Sequence, residues 1–287
     1  VTDVVLVSAE VPPIRERSAI VNRQNHNRVK VLLIAASLLA VSVLVGCGDN
    51  DEDSYLLEVT ETRTWTSSGI TEIYATTVNG SVTAEASQDT VVTCIVTRRC
   101  RGKDRAEAEQ YIGNVVVEDT IDGGRLVITA DMPDSSDRDY SADFEIFTPE
   151  SVYLALVTVN GNLAAISTAD GARLTATNGT LSSSSLEGGV SGQIVNGNAT
   201  CDLASLTVGE AATLATTNGN VTISVPSDVS SVFDVRTVNG TVEVTGFPSV
   251  TYSLNTPNHK IGVIGTPPGE AAINITIVNG NGTITAR

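Results

Sequence analysis

Three kinds of side chain in this sequence carry chemistry worth weighing: the thiols of Cys47, Cys94, Cys100 and Cys201, the imidazole of His259, and the carboxylates Asp131, Asp134, Asp137 and Asp139. His259 follows Asn258 at a turn and has no Ser or Cys partner in a recognisable nucleophile motif, so it reads as a corner residue and not as a base. The four Asp lie in a loop with Pro and Ser, and their order matches no cation-binding motif. No phosphate loop, dinucleotide fingerprint or two-histidine metal motif is present. The sequence therefore predicts no catalytic residue, no metal and no cofactor. Cys94 and Cys100 are the one possible disulfide. In a single extended strand they would stand about 20 Å apart, so pairing requires a bend near Arg98 and Arg99. Cys201 falls on an apolar offset and reads as a small core residue.

Cys47 has the most specific surroundings. Arg23, Arg28 and Lys30 precede an uncharged apolar run, Val31 to Val45, which is too short to span a bilayer and ends at the small Gly46. Leu44-Val45-Gly46-Cys47 resembles the lipobox of bacterial lipoproteins. The resemblance implies that the signal is removed before Cys47, whose thiol becomes acylated, and two or three acyl chains hold a protein stably at a membrane. Residues 1–20, with Asp3, Glu10, Pro12 and Pro13, do not fit a signal, and translation from Val21 is the expected start. The expected organisation is a signal at 1–46 and a lipidated acidic tether at 47–54. Amino-terminal coils and a cap then fill 55–155, followed by regular repeats at 156–287. The tether has Ser54 and Thr60 where a calcium loop counted from Asp49 needs Gly and a carboxylate.

The elements that follow must be strands. The chain has 287 residues, 41% hydrophobic yet only 4% aromatic, which points to a thin core of β-branched and small side chains. From Cys47 onward 30 acidic side chains face 12 basic ones, which excludes nucleic acid as a partner because phosphate binding needs clustered Lys and Arg.

Asn-Gly recurs at Asn79-Gly80, Asn160-Gly161, Asn178-Gly179, Asn196-Gly197, Asn218-Gly219, Asn239-Gly240 and Asn279-Gly280, with Asn258-His259 filling the one double-length gap. Around each Asn the fourth and sixth residues before it and the third after it are apolar or small, while the second after it is polar. Period two on both sides of a fixed corner means strand, turn, strand with one face buried. An antiparallel meander with type I′ turns satisfies that pattern, and so does a β-solenoid. The near-constant spacing of about 20 residues, the recurrence of residue types at each offset and the scarcity of aromatics favour the solenoid. Its corner Asn side chains would stack in a ladder, each bonding the next, at strand spacings near 4.8 Å. Lys103 to Ile112 reads as a short helix in an amino-terminal insertion, with strands near Val115, Leu126 and Phe144. Pro257 and the serine run Ser182 to Ser185 mark irregular coils.

Thr77-Val78-Asn79-Gly80, Thr158-Val159-Asn160-Gly161, Thr216-Thr217-Asn218-Gly219 and Thr237-Val238-Asn239-Gly240 resemble the repeats of the bacterial "putative adhesin" family. The resemblance implies a single-stranded, right-handed β-helix behind a lipoprotein signal. It names no catalytic residue. Polysaccharide enzymes built on β-helices need carboxylates with Arg or Lys on one face, whereas Asp170, Asp202, Asp228 and Asp234 share no offset here. The expectation is an all-β, non-enzymatic, lipid-anchored envelope protein. It would meet a membrane through its acylated terminus and a protein or glycan through its surface, without nucleic acid. Outward Ser, Thr and Asn beside the corners, such as Asn220, Thr222 and Thr241, are the expected contact rows. The alternative is an accessory partner of an envelope-stress sensor.

Overall fold

The computed structural model describes residues 54–133, 139–266 and 271–287, together with the backbone of 40–42. Most of the signal, the lipobox with Cys47, most of the tether, and Asp134 and Asp137 lie outside the described residues, while the backbone of 40–42, inside the expected signal, forms a short strand. The described chain is almost entirely strand. In order, β1 is Ala40–Ser42, β2 Tyr55–Thr66, β3 Glu72–Asn79, β4 Val82–Ser87 and β5 Val91–Gly102. A short helix α1 (Arg105–Tyr111) and a 3-10 turn (Ile112–Asn114) lead to β6 (Val116–Asp122), β7 (Arg125–Asp131) and β8 (Tyr140–Pro149). The repeats proper follow as β9 (Tyr153–Ile166), β10 (Ala172–Leu186), β11 (Val190–Leu203), β12 (Ala211–Asn218) and β13 (Val221–Val225). The chain ends with β14 (Ser231–Asn239), β15 (Val242–Thr245), β16 (Val250–Asn255), β17 (His259–Ile264), β18 (Ala271–Asn279) and β19 (Gly282–Ala286). All nineteen strands belong to one sheet.

Each repeat has one arm before its Asn-Gly corner and one after it, and equivalent arms pair in parallel and in register. Asn160 faces Asn178, and Asn178 faces Asn196. The antiparallel meander is therefore excluded for the repeats. Alternation buries one face: Ile73, Leu154, Ala172, Val190, Ala212, Phe233 and Ile273, six before the corner, are all buried. So are Val82, Leu163, Leu181, Ala199, Val221 and Val242, three after it. Gly192 interrupts the row four before the corner, and the Leu214 side chain of the next arm fills the space its missing Cβ leaves. A core of stacked aliphatics needs few aromatics, which is why this composition suffices.

Antiparallel elements close the amino-terminal end, as a terminal parallel strand would otherwise expose its edge. Before the corner, β3 pairs with β7, and β6 folds back on β7. After the corner, β4 pairs with β8, which continues antiparallel through β5 to β2 and β1. The predicted helix is present as α1. Asp104 caps it by accepting from the Glu107 backbone N–H at 2.8 Å, while Glu107 Oε2 accepts from the Lys103 N–H at 2.7 Å. The serine run carries an irregularity too: the register shifts between Ser183 and Leu186, and Ser185 adopts φ 52°.

Two expectations about the carboxy-terminal repeats are corrected. Asn258-His259 is not a corner of the repeat. Residues 256–258 form the turn of an antiparallel hairpin, β16 with β17, and β17 also runs antiparallel to β14. The turn is held by Thr256, whose backbone N–H and hydroxyl both donate to the His259 carbonyl at 2.9 Å. Secondly, the repeats do not pair in chain order. The last repeat lies between two earlier ones: β18 pairs with β12 on one side and β14 on the other, and β19 with β13 and β15.

Candidate functional site

The corner explains both residues of Asn-Gly. The Asn side chains form a continuous ladder in which Asn160 donates Nδ2 to Asn79 Oδ1 at 2.8 Å, Asn178 to Asn160 at 2.8 Å, Asn196 to Asn178 at 2.9 Å and Asn218 to Asn196 at 2.7 Å. Asn279 then donates to Asn218 at 2.8 Å and Asn239 to Asn279 at 2.8 Å. Each interior amide thus both donates and accepts along the stack, while Asn79 at one end only accepts and Asn239 at the other only donates. The glycines are required by close approach. At Gly197, φ is +148° and an added Cβ would stand 1.8 Å from the Gly179 carbonyl oxygen, with the same contact at 1.9 Å from Gly161, Gly179, Gly219, Gly240 and Gly280 to their neighbours. Asn258 is followed by His259, whose side chain could not enter such a contact, and this is the physical reason that copy leaves the ladder.

Thr two before the corner points inward and serves the same stack. The buried hydroxyls of Thr158 and Thr237 donate to the carbonyls of Gly80 and Gly280 at 2.9 Å, and that of Thr216 to Gly197 at 3.2 Å. The polar residues two after the corner form a second ladder, side chain to backbone. Asn198 Oδ1 accepts from the Asn220 N–H at 2.8 Å, Asn220 Oδ1 from the Asn281 N–H at 2.9 Å, and Asn281 Oδ1 from the Thr241 N–H at 2.9 Å. Of the outward residues named from the sequence, Asn220 and Thr241 are exposed and Thr222 is half-buried, and Asn220 and Thr241 are engaged in hydrogen bonds between neighbouring repeats.

One row was missed at the sequence level. The residue directly before the corner Asn is solvent-facing and apolar in five repeats: Val78, Val159, Val195, Val238 and Val278 are all exposed. Its signal was the Val of Thr-Val-Asn-Gly itself, which alternation assigns to the outer face.

The other candidates are placed apart. Cys94 and Cys100 lie on one unbroken strand, β5, without the bend near Arg98 and Arg99, so they do not pair with each other. Cys94 is buried, and burial pushes its thiol up to about 12, with Arg63 acting in the opposite direction. Cys201 is buried where expected and is likewise pushed up to about 12 by burial, while the Ser183 hydroxyl donates to its sulfur at 2.9 Å and works against the shift. His259 Nε2 meets Asp234 Oδ1 at 2.9 Å on the outer face of the β14–β17 pair. Near Cys94, Glu61 is buried and held by Arg63 at 2.5 Å, and Arg63 reaches Asp119 at 2.7 Å, which also accepts from Trp65 Nε1 at 2.9 Å. This network ties β2 to β6 and has the geometry of a structural clamp. Of the four Asp, Asp131 is not in the loop but ends β7, exposed, and Asp139 lies 3.4 Å from Arg101. Among the described residues no group of three or more His, Cys, Asp or Glu could hold a metal ion, and no helix is long and apolar enough to cross a membrane.

No family model matches this sequence. No curated protein matches it either. Among solved structures, the chain is similar to a "putative cell adhesion protein" of Clostridium sporogenes, with 10% identity and a TM-score of 0.49 over 79% of this chain and 99% of that one. It is also similar to a "putative adhesin" of Bacteroides fragilis, with 12% identity and a TM-score of 0.33 over 79% and 97% of the two chains. A further "putative adhesin", from Parabacteroides merdae, has 13% identity and a TM-score of 0.27 over 79% and 96%.

Proposed function

We propose that this chain is a non-enzymatic, lipid-anchored protein of the bacterial cell envelope that presents a single-stranded, right-handed β-solenoid for adhesion. The observation that carries the reading is the in-register ladder of corner Asn residues. It repeats the same outward side chains at every strand spacing and so offers a periodic surface to a partner. The parallel arms on both sides of one corner are what a solenoid requires, and the exposed Val row adds an apolar edge to that surface. The anchor rests on the sequence around Cys47, with the acidic tether holding the solenoid off an anionic membrane.

The test compares cells that carry the chain with cells that lack it, in attachment to neighbouring cells and to host-type surfaces. Attachment should require the chain, should be lost with Cys47→Ala, and should be competed by the chain freed of its anchor. Attachment independent of the chain, or turnover of a glycan panel by the purified protein, would overturn the reading.

A further inference from the structure

Apart from exposed Val residues, the outer face of the arms before the corners is mostly small and polar, and a group of long side chains stands out near its amino-terminal end. There, four adjacent strands in the order β7, β3, β9, β10 bring Arg125, Glu72, Tyr74, Tyr153, Ala155 and Arg173 around a concavity of about 360 Å³. The register explains the hollow. Ala155 lies opposite Tyr74 on one side and Arg173 on the other, so a methyl group forms the floor between two long side chains. In a chain with only six Tyr, and with acidic residues outnumbering basic ones 33 to 17, the meeting of two Tyr and two Arg on one outward patch is not explained by solubility.

The groups divide into those already engaged and one that is open. Arg125 stacks over the Tyr74 ring at 4.5 Å and reaches Glu72 Oε1 at 3.1 Å, which fixes all three side chains in place. Arg173 is exposed and makes no ion pair among the described residues. It lies close enough to Tyr153 to favour that phenol's ionisation, whereas burial, the larger effect, disfavours it. The volume falls within the ~300–1,000 Å³ of small-ligand sites.

From this geometry we infer that the Tyr74–Tyr153–Arg173 hollow is a binding site for a carboxylated saccharide, of the uronic-acid type. The Tyr74 and Tyr153 rings line the hollow and offer aromatic surface to the C–H groups of a pyranose, the Arg173 guanidinium, with no ion pair among the described residues, suits a carboxylate in bidentate fashion, and Glu72 can accept from ring hydroxyls. A phosphate group fits less well, since its charge of about −2 meets Glu72 more strongly than a carboxylate's single charge does, and Arg125, paired with Glu72, leaves only Arg173 to offset it. The site is separate from the corner rows, so it stands or falls independently of the adhesion reading.

The experiment titrates the full chain with a galacturonic acid trimer by calorimetry, alongside a neutral galactose oligomer, inorganic phosphate and an acidic peptide. The expected result is saturable binding of the trimer in the ~mM range, weaker by tenfold or more in Arg173→Gln and in Ala155→Leu, with the neutral oligomer at least tenfold weaker than the trimer. Arg173 is exposed and makes no ion pair among the described residues, and Ala155→Leu fills the hollow from its floor, so unchanged melting temperatures would exclude unfolding as the cause. Tyr153→Phe tests the hydroxyl separately and should keep trimer binding within about threefold. Absence of trimer binding, equal binding by Arg173→Gln, or preference for phosphate or the peptide would overturn the inference.

Discussion

Asn279 donates its side-chain amide to Asn218 across 2.8 Å although 61 residues separate them, and Asn279 in turn accepts from Asn239. The last repeat is therefore an interior rung of the stack. Asn279→Ala should remove two ladder hydrogen bonds and cost about 1–3 kcal/mol, at roughly 0.5–1.5 kcal/mol each. Asn239→Ala, at the end of the ladder, removes one and should cost about half as much. Urea titrations of both variants check the order of rungs. Equal costs would contradict Asn279 as the interior rung.

The corner glycines give a second, sharper contrast. Gly197→Ala combines an unfavourable φ of +148° with a Cβ 1.8 Å from a backbone carbonyl, and a backbone atom cannot rotate away. Gly209 has φ +88° with nothing within 4 Å of its would-be Cβ. Gly209→Ala should then cost only the left-handed strain, about 1 kcal/mol, while Gly197→Ala should cost several times that by forcing neighbouring coils apart. Thermal melts of the two variants measure the difference.

Alkaline pH should weaken the fold through its buried thiols. Cys94 and Cys201 hold their protons to about 12 in the folded chain against 9.0 as the ordinary value. Below pH 9 both states are protonated and the full stability is present. As pH rises from 9 toward 12 the unfolded chain ionises and the folded chain does not, so stability falls. The double variant Cys94→Ala, Cys201→Ala should show a flatter decline across that window in denaturant titrations. In the unmodified protein both thiols should resist alkylation at pH 8 until denaturant is added.

The repeat was legible because alternation acts locally: Leu154, Leu156 and Leu163 are buried for reasons visible within ten residues of Asn160. The order of the coils was not. Every corner has the same residue types, so nothing local distinguishes a neighbour of Asn218 at 239 from one at 279. The hairpin of residues 250–264 was obscured in a similar way, since Asn258 imitates a corner by position while His259 cannot make the glycine contact. The hollow at Ala155 was invisible for a different reason. Tyr74, Arg125 and Arg173 come from distant segments and meet only because β7 and β9 both pair with β3, an adjacency created by the long insertion between the first two corners. The serine at 183, by contrast, was readable as irregular but not as the hydrogen-bond donor to Cys201 that its register makes it.

Adjacent residues on one strand test the inward and outward faces most directly. Val235 is fully buried in β14, between the parallel partner Ile275 and the antiparallel partner Lys260, and its side chain packs within the aliphatic core. Arg236, next along the chain, is exposed, and its Nε donates to Thr276 Oγ1 at a long 3.4 Å. Val235→Asp places a carboxylate in the aliphatic core, where the ammonium of the paired Lys260 is already held by Asn255 Oδ1, and should cost roughly 3–5 kcal/mol, the scale of a poorly compensated buried charge. Arg236→Asp loses a weak surface contact and sits two residues from Asp234, so its cost should stay within about 1 kcal/mol. Denaturant midpoints at pH 7 separate the two. Because the Asp at 235 would be protonated in the folded state, lowering the pH to about 4 should recover much of the loss in that variant and none in Arg236→Asp. Equal destabilisation at pH 7 would mean that β14 does not present alternate residues to core and solvent.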